Sequence, residues 1–306
     1  LFSKAYDGQP ALLSNESSIE LMQCRHPILL SCFVQELPQQ SAVQEQTEII
    51  TGHWEFNRAG VVPIDLVKAG TTATLVITGA NAGGKTVAMK TLGLFVLMTQ
   101  AGMHIPVAAG SKVPVYGRVF ADIGDEQNIE ASLSTFSSHM SQINTIVASS
   151  GHDCLVLLDE LGSGTDPAEG GSLAVAILDF LRTRGCCTIV TTHLNLLKTY
   201  AYSNKDVENV SVAFDPDTFK PLYSLVYGVP GLSNALAIAK NIGIPDEILL
   251  QAQAGMEGSD KQIAALIHGL EQTHREVLDQ KNAFKKLQVR TRKYQDTVER
   301  LFETMK

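Results

Sequence analysis

The sequence has no apolar run long enough to span a membrane, since the apolar stretch 94–98 is soon interrupted by polar residues. A signal-peptide pattern is also missing after the initial Leu. We therefore expect a cytoplasmic protein, and we expect this chain to be a piece of a longer one.

Cysteine pairs with metal-binding or redox spacing are absent. The five cysteines, Cys24, Cys32, Cys154, Cys186 and Cys187, include no C-x-x-C pair. Three of them, Cys154, Cys186 and Cys187, border apolar strands. This pattern favours buried free thiols in a reducing compartment over zinc sites or disulfides.

Positive charge is scarce as well. The chain has 24 Lys and Arg against 32 Asp and Glu, a formal net charge of −8, and no basic block. Tight nucleic-acid binding requires a concentrated positive surface, so this chain alone lacks the electrostatic footprint for it.

A phosphate-binding pattern lies between a predicted strand and a predicted helix. The β-branched stretch 74–78 indicates a buried strand, and 86–100 has apolar residues at helical spacing. The segment between them fits G-x-x-x-x-G-K-[ST]: Gly79, Ala80, Asn81, Ala82, Gly83, Gly84, Lys85 and Thr86. The glycines let backbone N–H groups surround a phosphate, Lys85 adds a positive charge, and the Thr86 hydroxyl can ligate Mg²⁺.

Two carboxylates follow a later apolar strand. The stretch 154–158 precedes Asp159 and Glu160 directly. In phosphate-loop enzymes the first such carboxylate holds Mg²⁺, while the second can polarise the attacking water. This order favours nucleotide hydrolysis over binding alone. His193 directly follows the next predicted strand, 187–192. A His at this place either hydrogen-bonds the γ-phosphate or positions water; the alternative is a hydrogen bond to a neighbouring backbone carbonyl.

Strands and helices alternate through the centre of the chain. A helix at about 169–183 and strand pieces near 207–227 extend the pattern. It predicts an α/β P-loop fold with a mostly parallel sheet flanked by helices. Before this core, the segments 20–23, 26–30 and 47–50 are predicted to be short strands.

Two further segments have a less specific pattern. Ser134 and Thr135 can cap a helix that starts at Phe136, either as an anion site or as a simple cap. In the tail, heptad positions a and d are mostly apolar, at Ile263, Leu270, Val277, Phe284, Thr291, Val298 and at Leu266, Thr273, Gln280, Leu287, Tyr294, Leu301. The tail therefore predicts a coiled-coil arm, with a lone surface helix as the alternative.

Together these motifs resemble the ATPase domain of the MutS family, most closely its second branch of bacterial recombination suppressors. The resemblance covers about residues 15–255, in order. It includes the phosphate loop and the segments 25–27 (RHP), 61–65 (VVPID), 134–136 (STF), 159–167 (DELGSGTDP), 192–193 (TH) and 228–245 (GVPGLSNALAIAKNIGIP).

The resemblance implies an ABC-type ATPase that uses ATP and Mg²⁺. Lys85 and the loop amides would bind the phosphates, and Thr86 and Asp159 would handle Mg²⁺. Glu160 would be the general base, and His193 would contact the γ-phosphate.

It also implies a homodimer with two composite sites. Ser134 would reach the γ-phosphate bound by the other subunit, while Val61, Val62 and Tyr223 would contact the adenine. The mismatch-repair members usually carry Glu where this chain has His139, so the contact across the dimer is expected to differ here.

Finally, the resemblance implies three parts: 1–15 as the end of a lever-type helix, 16–257 as the ATPase domain, and 258–306 as the coiled-coil arm. DNA or ribosome binding, and any nuclease domain, would lie elsewhere in the full-length protein, with no membrane contact. The alternatives are a nucleotide-gated dimerisation clamp with little hydrolysis and an ABC-type ATPase of another family. The second is disfavoured because L-S-G-G-Q is absent.

Overall fold

The computed structural model describes residues 3, 6–14, 16–32, 61–80, 83–124, 135–215, 218, 220–231 and 235–255, with single positions at 269, 273, 277, 280, 284, 288 and 291. The chain divides into two compact units, Leu1–Leu250 and Gln251–Lys306. The predicted strand at 47–50 lies outside the described residues.

Strands and helices alternate along the first unit, as the sequence predicts. The strands are β1 (Leu12–Ser14), β2 (Ile19–Cys24), β3 (Ile64–Lys68), β4 (Thr74–Thr78), β5 (Lys112–Pro114), β6 (Arg118–Asp122), β7 (Cys154–Leu158), β8 (Cys187–Thr191), β9 (Val207–Phe214) and β10 (Pro221–Tyr227). The helices are α1 (Pro27–Cys32), α2 (Lys85–Gln100), α3 (Thr135–Ser149), α4 (Pro167–Thr183), α5 (Asn195–Ser203), α6 (Ala235–Ile242) and α7 (Asp246–Gly255).

The central sheet has six strands in the order β10-β9-β4-β8-β7-β6. All neighbours in it are parallel except β10 and β9, which are antiparallel. Every residue of β4, β7 and β8 is buried, which explains why these strands are continuous apolar or β-branched runs. The predicted mostly parallel sheet is confirmed.

Apolar side chains fill both faces of this sheet. One buried cluster includes α2 residues such as Met89 and Phe95, and the other includes Leu178 of α4 and Leu197 of α5. Helices therefore flank the sheet, as the sequence predicts.

Four further strands form a smaller sheet in the order β1-β5-β2-β3, which was not predicted as a unit. β2 pairs antiparallel with β3, and β1 pairs parallel with β5. Within the stretch 1–15, residues 3 and 6 are helical, whereas Leu12–Ser14 form β1.

The predicted strand at 26–30 is wrong, because Pro27–Cys32 form helix α1. Proline fits the first helical turn, where its missing N–H would have no helical partner. Pro27 and Leu30, three residues apart, are both buried, whereas Ile28 is 64% exposed. This burial follows helical spacing, which a five-residue apolar run does not reveal.

The described positions of the second unit, between 269 and 291, are all helical and exposed. They include Val277 and Phe284, two of the predicted heptad residues. The coiled coil itself stays a prediction. Among the described residues, no helix combines the length and the apolarity needed to cross a membrane.

Candidate nucleotide-binding site

The predicted motifs meet at one edge of the central sheet. β4, β8 and β7 are neighbours in the strand order, and they end at Thr78, Thr191 and Leu158. In parallel sheets, ligands bind outside the carboxyl ends of the strands. The phosphate loop follows β4, Asp159 and Glu160 follow β7, and His193 follows β8.

The phosphate loop needs glycine at defined positions. Gly84 precedes α2 with φ +88°, a left-handed conformation that side chains disfavour. A Cβ at Gly79 would lie 2.5 Å from Val212 Cγ2, and a Cβ at Gly83 would overlap the same methyl group. The loop backbone therefore packs directly on β9. Asn81 and Ala82 lie outside the described residues.

Lys85 is buried at the start of α2, with 2% of its surface exposed. Its ammonium donates a hydrogen bond of 2.6 Å to the Gly79 carbonyl. Burial lowers the pKa of Lys85, while the negative charges of Glu160 and Asp159 oppose that shift. The cation and both carboxylates thus share one electrostatic environment.

Asp159 lies between two threonine hydroxyls. Thr86 Oγ1 donates to Asp159 Oδ1 at 3.0 Å, and Thr191 Oγ1 donates a short hydrogen bond to the same oxygen. A carboxylate and a hydroxyl are the hard oxygen donors that Mg²⁺ prefers. Across the described residues, no three His, Cys, Asp or Glu side chains cluster to hold a metal unaided.

Glu160 has a strained backbone at the predicted catalytic position. Its φ is +49°, which is uncommon for a residue with a side chain. Its N–H donates to Thr191 Oγ1 at 2.9 Å. Thr191 therefore orients both acidic residues, a role that the sequence did not reveal.

A glycine after β10 makes a further contact that sequence reasoning missed. Gly231 donates its N–H to Thr78 Oγ1 at 2.7 Å, and a Cβ at Gly231 would lie 2.9 Å from Gly79 Cα. Gly231 thus supports the start of the phosphate loop. Its glycine-containing motif was noted in the sequence, but only as part of a resemblance.

The other predicted site residues lie in different positions. His193 is exposed after β8, while the N–H of Thr192 binds Ile77 O at 3.1 Å. Tyr223 is half exposed next to the phosphate loop, since a Cβ at Gly84 would lie 3.5 Å from Tyr223 Cδ1.

The remaining predicted contacts are those of Val61 and Val62 with the adenine and of Ser134 with the γ-phosphate. Val61 and Val62 precede β3, and their exposed fractions are 6% and 45%. Only Val62 therefore presents much surface to a ligand. Ser134 lies outside the described residues. Helix α3 begins at Thr135, one residue before the start at Phe136 that the sequence predicted.

Residues 75–258 match the family model MutS domain V. "Endonuclease MutS2" of Pelotomaculum thermopropionicum is 44% identical over 90% of this chain and 32% of its own length. The protein of the same name from Symbiobacterium thermophilum is 50% identical over 75% of this chain and 29% of its own length. The one from Halalkalibacterium halodurans is 51% identical over 70% of this chain and 27% of its own length.

This chain therefore spans about a third of the length of the curated relatives it matches. The family match covers the phosphate loop, both acidic residues and the strands that carry them. The chain belongs to the MutS family, and residues 75–258 are its domain V.

Proposed function

We propose that this chain binds ATP with Mg²⁺ and hydrolyses it to ADP and phosphate. The observation that carries the proposal is the hydroxyl–carboxylate arrangement of Thr86, Asp159 and Thr191, directly beside Lys85. This arrangement joins a phosphate-binding loop to a carboxylate that is held in place by two donors. The neighbouring Glu160 supplies a carboxylate that can accept a proton.

Each residue has a separate chemical task in this proposal. The loop N–H groups and Lys85 bind and orient the β- and γ-phosphates, and Thr86 and Asp159 would hold Mg²⁺. The ion, when bound, neutralises charge that develops on the phosphate oxygens. Glu160 accepts the proton of the attacking water, and Thr191 keeps this residue and Asp159 in their orientations.

Calorimetric titration with ATP and Mg²⁺ tests the binding site. Lys85→Ala removes the buried charge that faces the phosphates, and we expect it to abolish measurable binding. Lys90→Ala is the matched control, because Lys90 has the same charge on the same helix but is exposed. Equal ATP affinity of the two variants contradicts the assignment of the phosphate loop.

We also propose that two copies of this chain pair through their ATPase heads, with Ser134 of each completing the site of the other. The support is the family membership together with a helix, α3, that begins directly after Ser134. Helix N-termini are favourable positions for phosphate groups. The net charge of −8 opposes association until nucleotide and Mg²⁺ bridge the two heads.

Mixing two inactive variants tests this arrangement. In a mixture of Ser134→Ala and Lys85→Ala, a mixed dimer retains one site with an intact phosphate loop and an intact Ser134. We expect partial recovery of hydrolysis. If light scattering shows mixed dimers and no activity returns, then Ser134 acts within its own subunit.

The activity of the longer protein is a separate proposal. The relatives' names describe an endonuclease, whereas the site described in this chain is suited to nucleotide hydrolysis. We propose that binding of DNA or of ribosomes, and any nuclease activity, resides in the remaining two thirds of such a protein. The assay is hydrolysis of plasmid DNA by this chain, with no cleavage expected.

A further inference from the structure

A histidine and an aspartate join helix α3 to the central sheet next to the candidate site. His139 Nδ1 lies 2.9 Å from both carboxylate oxygens of Asp122. Asp122, the last residue of β6, is 4% exposed. A carboxylate only accepts hydrogen bonds, so the His139 Nδ1 must carry the proton.

The backbone of Asp122 holds the other side of this connection. Its carbonyl accepts the N–H of Asp159 at 2.9 Å, and Asp122 pairs with Leu158 in the parallel register of β6 and β7. Asp122 thus binds the carboxylate-bearing turn through its main chain and α3 through its side chain.

The start of α3 also lies close to the loop that follows the two acidic residues. A Cβ at Gly164 would lie 3.6 Å from Phe136 Cβ, in the first turn of α3. Further along, Ile143 and Ile146 are 4% and 5% exposed and belong to the buried cluster on that face of the sheet. Apolar packing therefore holds the helix from Met140 onward, and His139 and Phe136 add contacts in its first two turns.

We propose that the His139–Asp122 hydrogen bond is a strut that fixes the first turns of α3 relative to Asp159. The inference rests on the proposed function, because its consequence is the orientation of the helix start that the proposed function directs to the nucleotide of the partner subunit. His139 is a positioning residue in this proposal: it acts through α3 and does not contact the nucleotide. The strut therefore couples two parts of one subunit: the turn that carries Asp159, and the start of α3 that faces the other subunit.

Two amide substitutions separate positioning from bulk stability. The Asn amide nitrogen can take the place of Nδ1, whereas the longer Gln places its nitrogen near Nε2, away from Asp122. We expect His139→Gln to lower kcat for ATP about 10- to 100-fold, the usual range for residues that orient a site, with KM changed by less than roughly twofold. His139→Asn should retain kcat within about threefold of the unsubstituted chain.

The control variant is Asp179→Asn, which weakens a more exposed ion pair on α4, away from the candidate site. Asp179 lies 2.7 Å from Arg182, and neither residue belongs to the candidate site. We expect this variant to leave kcat unchanged. Thermal unfolding of all variants shows whether any loss of kcat follows a loss of stability.

The strut is contradicted if Gln and Asn at position 139 lower kcat equally, or if neither lowers it while the unsubstituted chain is active. A loss of kcat that simply follows a lower melting temperature across all three variants also contradicts it. If the unsubstituted chain shows no Mg²⁺-dependent hydrolysis, then the proposed function fails, and the inference fails with it.

Discussion

Thr191→Val is the substitution that probes the acidic pair with least disturbance of the fold. Thr191 is fully buried at the end of β8. Its hydroxyl donates to Asp159 Oδ1 and accepts the N–H of Glu160 at 2.9 Å. Valine has nearly the same shape and suits a strand, so the substitution removes both hydrogen bonds without creating a cavity.

The expected magnitudes follow from these two bonds. A hydrogen bond to a charged group contributes about 1.5–3 kcal/mol, and a buried donor left without a partner costs about 1–3 kcal/mol. Since valine recovers some apolar burial, we expect the free energy of unfolding to fall by about 2–4 kcal/mol. The melting temperature should fall by about 2–4 °C for each kcal/mol in a domain of this size. Turnover should fall about 10- to 100-fold because the Asp159 carboxylate and the Glu160 backbone both lose an orienting partner.

Thr188→Val is the matched control on the same strand. Thr188 is also fully buried, but its hydroxyl has no hydrogen-bond partner among the described residues. Replacing an unpaired hydroxyl by a methyl group should leave stability unchanged or raise it. Melting curves and steady-state ATP hydrolysis of both variants are the assays. Equal effects of the two substitutions would refute the role assigned to Thr191.

Three further predictions concern the loop, a helix cap and the thiols. Gly83→Ala should weaken ATP binding at least about tenfold, since its Cβ would overlap Val212 Cγ2, and Val212→Ala, which removes that methyl group, should restore part of the binding in a titration of the double variant. Asp166→Ala should lower the free energy of unfolding by about 1 kcal/mol in a denaturant melt, because its carboxylate caps α4 by accepting from Ala168 N at 2.9 Å. The four cysteines whose side chains are described are buried free thiols, and burial together with Asp65 raises the pKa of Cys24 to about 12. Iodoacetamide should therefore alkylate these four far more slowly in the native protein than in denaturant, and rapid native labelling detected by mass spectrometry would contradict their burial.

The sequence predicted those features that depend on neighbours along the chain. The strand at 74–78, the helix after it and the strand before Asp159 are each encoded by a local run of apolar residues. The phosphate loop was predicted for the same reason, since its glycines and Lys85 are contiguous. The buried free thiols are confirmed for the four cysteines that the structure describes.

The missed features depend on which strands are neighbours. Thr191 reaches Asp159 only because β8 lies beside β7, and Gly231 reaches Thr78 only because the chain returns to β4 after β10. Contacts between residues so far apart in sequence leave no periodic pattern. The error at 26–30 has a different origin, because a short apolar run suits a strand and a helix equally well.

Single-turnover hydrolysis by Glu160→Gln tests the central claim most directly. The amide of glutamine cannot accept the proton of the attacking water, while its shape preserves the site. The account predicts that the variant binds ATP and Mg²⁺ with near-normal affinity and hydrolyses bound ATP about 10²- to 10⁴-fold more slowly. An unchanged rate of hydrolysis with normal binding would show that Glu160 is not the general base, and would move that role to another residue, with His193 the next candidate.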